Sequence, residues 1–457
     1  MSSIKESKGN GGFGSKLGFV LAAAGSAVGL GNIWRFPYLA AKYGGGLFLI
    51  VYIVLAVTFG FTLMITEIAI GRRTGKSVIG AYKTINKRFS FLGWLAALVP
   101  VIITPYYCVI GGWVLKYLVT FWEGSGTDAA GDGSFFSGFI GSWSEPTVYF
   151  AVFLILTALV VMLGVEKGIE RISKFMMPVL VVLTIGIAVY TLTLEGAGDG
   201  LRYYLLPNFD GFTFEKLLKT VAAAMGQLFY SMSLAMGIMV TYGSYMRKQD
   251  SLEQSVRQIE IFDTGIAILA GLIIVPAVFV FSGGDAGALN AGPGLMFITL
   301  PNVFASMVGG RIFGTVFFVL VALAAMTSSI SLMETVVSII MEKFRLRRIP
   351  ACLITIGICA FLGMLSVLGY SAWDTVKIFG MQFLDFFDFA SNNIMMPIVA
   401  LMTCVLIGWV TMPKYIEDEV LESAERFKGK KLVNVMLRYI CIICMIIILI
   451  TPFVTVL

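Results

Sequence analysis

Long apolar runs separated by short polar loops recur along the whole chain, near residues 14–41, 46–71, 92–122, 146–164, 169–193, 215–243, 257–283, 309–342, 350–369, 384–411 and 433–456. Each is long enough to cross a hydrocarbon core, which takes about 20 helical residues. The pattern predicts an all-α polytopic membrane protein with eleven transmembrane helices, called spans 1 to 11 below. Span 1 contains Gly25-Ser26-Ala27-Val28-Gly29-Leu30-Gly31-Asn32-Ile33-Trp34-Arg35-Phe36-Pro37, a stretch that cannot stay helical. A break there exposes backbone groups at membrane depth, where only protein, water or a ligand can satisfy them. Span 6 carries a second such stretch, from Gly226 to Gly237, with serines and glycines at its centre.

Composition agrees with the pattern: 58% hydrophobic and 13% charged residues, with a mean hydropathy of +0.90, lie far outside the soluble range. Most basic residues fall at one set of span ends, among them Lys5, Lys8, Arg72, Arg73, Lys167, Arg247, Arg257, Arg348 and Lys431. The positive-inside rule then places the N-terminus in the cytoplasm and, with an odd span count, Leu457 outside a plasma membrane. Met1 to Gly12 is polar and lacks a separate apolar segment with a cleavage site, so no removable signal peptide is expected. The same loop positions explain the net charge of +6 without nucleic acid. Six cysteines (Cys108, Cys352, Cys359, Cys404, Cys441, Cys444) sit in apolar runs and histidine is absent, which predicts structural thiols rather than a zinc site or a disulfide framework.

No long polar insert divides the chain, so residues 1–457 read as a single membrane domain. The outer segment 123–145 is rich in Gly, Ser and Asp and reads as a loop with little fixed structure. Segment 194–214, with Pro207-Asn208-Phe209-Asp210 and Phe212-Thr213-Phe214, reads as a turn or a lid, the turn being the safer reading. The two interrupted spans lie five spans apart. Interrupted helices at corresponding places in two halves point to a 5+5 inverted repeat, with residues 13–193 (spans 1–5) and 214–411 (spans 6–10) as its halves and span 11 at 433–456 outside it. Small residues in membrane helices more often serve close packing. In span 1, however, Asn32 and Arg35 follow the glycines and place costly polar groups beside them.

The segment from Gly25 to Pro37 resembles the first-helix signature of the neurotransmitter:sodium symporters, which have the LeuT fold, and the nearest branch is that of the bacterial multihydrophobic amino acid transporters. The resemblance continues through Tyr106-Tyr107, Gly226 to Gly237, Thr241 to Lys248, Thr327-Ser328-Ser329 and Leu384-Asp385-Phe386-Phe387-Asp388, and so covers most of the chain. It implies sodium-coupled import of an L-amino acid by alternating access, with two sodium ions and no organic cofactor. Carried over position by position, the first sodium would meet Ala27, Asn32, Ser231 and Asp263, and the second Gly25, Val28, Ala324, Thr327 and Ser328. All supply oxygen, as a hard cation requires. Asp263 departs from the family, which usually has asparagine there, and its fixed charge implies that chloride is not needed. The alternative is a solvated Asp263 near the cytoplasmic end of span 7. Thr327, Ser328 and Ser329 have their own alternative, bonding back to helix carbonyls.

The substrate carboxylate would meet the amides of Leu30 and Gly31 and the Tyr107 hydroxyl, and its amino group the carbonyls of Ala27, Tyr230 and Ser231. Monoamine carriers of the family have aspartate where this chain has Gly29, so the substrate here should bring its own carboxylate. Ile103, Tyr107, Tyr230, Ser233, Met236, Ser328 and Leu332 would line the side-chain pocket, which suits large aliphatic and aromatic side chains; the plain alternative is ordinary core. Arg35 and Asp388, joined by Gln227, would form an outer gate or a permanent salt bridge. Gly168 and Pro178 in span 5 would allow residues 168–178 to unwind and admit water to the second sodium, although proline kinks many membrane helices without that role.

A channel would want a continuous polar path rather than polarity at one level. An intramembrane enzyme lacks a histidine for a Ser/His pair, and the Asp385–Asp388 couple is better explained by the gate. A proton-coupled amino acid carrier of the same architecture is the nearest rival. Monomer and homodimer both remain open.

Overall fold

The computed structural model describes residues 12–126, 134–207, 209, 213–281 and 294–454. The expectations for the first eleven residues, for part of the outer segment 123–145, for most of Asn208–Phe212 and for Leu457 lie outside these.

Among the described residues nine continuous helices are long and apolar enough to cross a membrane: Gly46–Thr74, Lys87–Glu123, Ser144–Met162, Val165–Leu192, Leu252–Phe281, Gly310–Phe344, Arg348–Tyr370, Phe383–Val410 and Lys430–Thr451. A tenth crossing is the pair Lys16–Ala27 and Gly31–Lys42, bent by 54°. Span 6 divides into Phe214–Ser231 and Ile238–Tyr245, two pieces each too short or too polar to count alone. The eleven apolar runs of the sequence are thus eleven crossings only if both broken spans are joined, as expected for the two stretches where regular helix fails. Among the described residues β-type pairing is confined to two isolated bridges, Gly45 with Pro207 and Ile378 with Met381.

The helices pack through small residues, since lipid offers apolar side chains no hydrophobic reason to associate. A side chain at Gly71 would come within 1.9 Å of the Val240 carbonyl, and one at Gly243 within 2.3 Å of the Ile68 carbonyl. Span 2 and the second half of span 6 therefore touch backbone to backbone and form one unit. Buried ionic contacts hold the end of the helices that carries Arg72 and Arg348. Arg72 is buried rather than a solvated loop cation: its Nε donates to Glu419 at 2.6 Å and its Nη1 to the Asp250 carbonyl at 2.8 Å. Arg348 grips Glu334 at 2.6 Å and donates to the Val161 carbonyl at 3.1 Å, joining the ends of spans 4, 8 and 9.

The described parts of segments 123–145 and 194–214 carry more order than their composition suggested. Phe135–Gly141 is helical because Phe136 stacks on Phe297 and packs edge-on against Trp113, while Phe139 meets Tyr149. Ala197–Leu205 is a helix rather than a turn. Its Tyr203 and Tyr204 hydroxyls donate to the carbonyls of Ala41 (2.7 Å) and Ile268 (3.0 Å) and fasten it over spans 1 and 7.

Candidate functional site

The first half of span 1 ends at Ala27, and Val28 turns to an extended ψ of 101°. Glycine at 29 and 31 permits neighbours that no side chain would. A Cβ at Gly29 would lie 2.7 Å from the Ser328 hydroxyl, and one at Gly31 would lie 2.3 Å from the Tyr230 ring. The freed amides find local partners: that of Gly29 donates to Asn32 Oδ1 at 3.1 Å and that of Leu30 to the Tyr107 hydroxyl at 3.4 Å. In span 6 the chain leaves the helix after Ser231 and passes through left-handed conformations at Ser233 (φ 53°), Ala235 (φ 59°) and Gly237 (φ 73°). For the two non-glycine residues this costs on the order of 1–2 kcal/mol each. Glu67 of span 2 offsets part of that cost, its Oε1 accepting the Ala235 amide at 2.7 Å from a site 4% exposed. Sequence reasoning missed Glu67, although an acidic residue inside an apolar run was itself a signal.

The two breaks face each other across a small, tightly lined cavity. It brings together the expected Ala27, Leu30, Gly31, Ile103, Tyr107, Tyr230, Ser233, Met236, Ser328 and Leu332, and adds Ser26, Gly29, Asn32 and Ile238. Ser231 is buried beside it rather than lining it.

Asp263 is fully buried within span 7, not solvated at its end. Its Oδ1 accepts from Asn32 Nδ2 at 2.7 Å and from the Ser231 hydroxyl at 2.6 Å, and the Tyr52 hydroxyl reaches Oδ2 at 3.4 Å. Among the described residues no Lys or Arg forms an ion pair with it. A carboxylate at membrane depth without a basic partner calls for a cation or a proton.

Span 8 separates its neighbouring hydroxyls by direction. Thr327 bonds back to the carbonyls of Leu323 (3.2 Å) and Ala324 (3.0 Å), and Ser329 to that of Met326 (2.9 Å) while meeting Thr157. Ser328 instead crosses to span 1, within reach of the carbonyls of Gly25 (3.5 Å), Ser26 (3.1 Å) and Val28 (3.4 Å). Of the expected second set, Gly25, Val28 and Ser328 bring oxygens together, while Thr327 bonds to Ala324 within its own helix.

Above the cavity, Arg35 and Asp388 make no ion pair. The Arg35 guanidinium lies 5.6 Å from the centre of the Tyr230 ring, and Asp388 Oδ1 accepts from Asn392 (2.7 Å) and Tyr106 (3.1 Å). In this structure the expected salt bridge between them is not formed. Gln227 does not join Arg35 either: its amide nitrogen donates to the Gly31 carbonyl at 3.0 Å, and its Oε1 is buried without a partner. For a gate that closes through Asp388, Asp388→Asn should leave protein yield and substrate binding within about threefold while transport falls by roughly tenfold, the size of one charge-assisted hydrogen bond. Parallel binding and flux measurements check this, and loss of folded protein would make Asp388 a staple instead.

Residues 168–178 are helical, not unwound: Val165–Glu170 forms a π-helical turn that runs into Arg171–Leu192, with Pro178 inside. Gly168 is required by contact, since a Cβ there would lie 2.2 Å from the Val160 carbonyl.

Comparison with known proteins fits this architecture. The model of the sodium:neurotransmitter symporter family matches residues 10–125 and 137–456. The chain is 38% identical over 398 residues to an uncharacterized sodium-dependent transporter, YhdH, of Bacillus subtilis, covering 86% of each protein. It is 24% identical over 456 residues to the human sodium- and chloride-dependent GABA transporter 2, covering 89% of this chain and 74% of that one. Among solved structures, that of MhsT in complex with L-phenylalanine superposes with a TM-score of 0.86 at 35% identity, covering 97% of this chain and 100% of the other. With both breaks, the cavity between them and nearly the whole length matched, this chain belongs to the sodium:neurotransmitter symporter family and is a membrane transporter, not an enzyme.

Proposed function

We propose that the protein imports large aliphatic and aromatic L-amino acids across the plasma membrane by alternating access, coupled to two sodium ions and independent of chloride, with its N-terminus in the cytoplasm. The observation that carries this reading is the buried Asp263 carboxylate, which has polar donors but no basic partner and touches Asn32 and Ser231 beside the cavity. A sodium held there by Ala27, Asn32, Ser231 and Asp263 would neutralise it and face the substrate carboxylate. Gly29 leaves the cavity without a carboxylate of its own on that side, which favours an amino acid over a monoamine. Ile103, Met236, Ile238 and Leu332 supply an apolar wall for the side chain. The printed ligand of the MhsT structure, L-phenylalanine, is of the same class. The second sodium would take the carbonyls of Gly25, Val28 and Ala324 with Thr327 and Ser328; Thr327 would turn from its helix carbonyls to do so. We read residues 13–193 and 214–411 as the two inverted repeats, and the hinge between Gly168 and Pro178 as the part of span 5 that unwinds when the inner path opens.

The test is binding of radiolabelled leucine and tryptophan to purified protein in sodium and in potassium, with the other amino acids as competitors. Sodium-dependent binding displaced by bulky apolar amino acids is expected. Equal binding in potassium would turn the reading toward the proton-coupled carrier, with Asp263 as the protonated group, and no binding in either salt would overturn the substrate class.

A further inference from the structure

We infer that the end of the bundle where spans 3, 8 and 9 meet holds an anionic phospholipid, with its phosphate among Lys343, Arg345 and Arg347 and its acyl chains along Trp94 and Phe91. In the orientation proposed above this end faces the inner leaflet. The inference does not depend on the substrate.

Two stretches distant in sequence meet there. The Lys343 Nζ lies 4.7 Å from the centre of the Trp94 ring. Glu342 accepts the Ser77 amide, which ties the end of span 8 to the short helix Val78–Ile85 that precedes span 3. No acidic residue occurs from Lys76 to Trp94 or from Lys343 to Pro350, whereas these stretches carry Lys83, Lys87, Arg88, Lys343, Arg345 and Arg347. All six are exposed, and among the described residues none forms an ion pair. Arg72, Arg247, Lys248, Arg257 and Arg348, by contrast, each hold a carboxylate.

Helix dipoles account for only part of this. Lys343 and Arg345 close the C-terminus of span 8, where a cation is favoured. Lys87 and Arg88 instead open span 3, and Arg347 caps the start of span 9, where helix amides already present positive charge. Such an array repels itself until an anion sits in it. Arg345 also takes a left-handed backbone, with φ 55°, at a helix end where glycine is the usual occupant because it has no Cβ to clash. Arginine there trades backbone ease for a guanidinium at the helix end.

An apolar strip adjoins the cations. Phe91 and Trp94, 50% and 52% exposed, share one face of span 3 at helical spacing, and Phe344, 64% exposed, follows Lys343. Lys87 and Trp94 are separated by about 10 Å along the helix, which sets the cation at headgroup level when the ring stands at the boundary with the chains. A soluble anion would use the cations alone, while an anionic lipid uses both.

The experiment titrates the full-length protein in neutral detergent with dioleoylphosphatidylglycerol or dioleoylphosphatidylcholine, which share their chains and differ in headgroup charge, and reads affinity from the thermal shift. Phosphatidylglycerol is expected to bind about tenfold or more tightly than phosphatidylcholine, since each basic residue near the headgroup contributes roughly fivefold. Glycerol 3-phosphate, which has no chains, should bind about tenfold or more weakly than phosphatidylglycerol. The triple variant Lys343→Gln, Arg345→Gln, Arg347→Gln should lose about tenfold or more in phosphatidylglycerol affinity. Lys414→Gln, Arg426→Gln, Lys431→Gln, which removes the same charge from the loop between spans 10 and 11, should stay within about threefold. Arg345→Gly suits the left-handed backbone, so its lipid-free unfolding midpoint should hold or rise while phosphatidylglycerol affinity falls roughly fivefold. Equal affinity for the two lipids would overturn the inference, and so would equal losses in the two triple variants, which would mean diffuse surface charge. Glycerol 3-phosphate binding as tightly as phosphatidylglycerol would replace the lipid with a soluble anion.

Discussion

With sodium present and chloride replaced by gluconate, Asp263→Asn is expected to bind hydrophobic amino acids roughly 100-fold more weakly than the parent protein, corresponding to about 3 kcal/mol for removing one partner of a buried charge pair. Added chloride should restore part of that binding, while the unmodified protein should respond to sodium alone. The reason lies in the surroundings of the carboxylate. Asn32, Ser231 and Tyr52 all direct donors at Asp263, so the asparagine amide would have to fit among three donors and would bring no charge. A mobile anion could supply that charge; the side chain could not. Filter binding over a sodium series, with and without chloride, measures both terms. A strong chloride requirement in the unmodified protein at saturating sodium would remove the assigned role of Asp263.

Gly31→Ala should be nearly as damaging for a different reason. The new methyl would stand 2.3 and 2.7 Å from two carbons of the Tyr230 ring, which lines the cavity and lies beneath Arg35. Overpacking a tight site costs about 1–3 kcal/mol, so substrate affinity should fall roughly 5- to 150-fold. Stability should suffer less than binding, because the cavity offers the ring somewhere to go. Thermal unfolding measured with and without a fixed concentration of leucine separates the two: the apo transition should move by a few degrees and the ligand-induced rise should shrink in step with the lost affinity. An unchanged ligand-induced rise would mean that the Tyr230 ring does not shape the site.

The break in span 1 was legible because glycines beside Asn32 and Arg35 violate the rules of a lipid-facing helix, whereas the other residues of the cavity were expected only through the family resemblance, position by position. Residues that cooperate across distant spans were harder to find. Glu67 supports the break in span 6 from span 2, Tyr52 reaches Asp263, and Asn392 occupies Asp388 where Arg35 was expected. None of these partnerships has a sequence spacing to announce it. The outer segments show the same limit. Gly-, Ser- and Asp-rich composition suggested disorder, yet Phe135–Gly141 is held by aromatic contacts made with spans far along the chain.

The apolar runs by themselves determined the helical membrane class and the places where helices must fail, because transfer into lipid and satisfaction of the backbone act on each segment separately. The tertiary structure alone decided what the polar atoms at those failures do. Ser328 turns to the span 1 carbonyls while Thr327, one residue earlier, turns back to its own helix. Asp263 is sealed among Asn32, Ser231 and Tyr52 instead of facing solvent, and Arg35 lies over an aromatic ring instead of pairing with Asp388. A side chain's rotation and partners depend on which distant helix packs against it, and in a buried site those partners determine where charge and hydrogen bonds can reside.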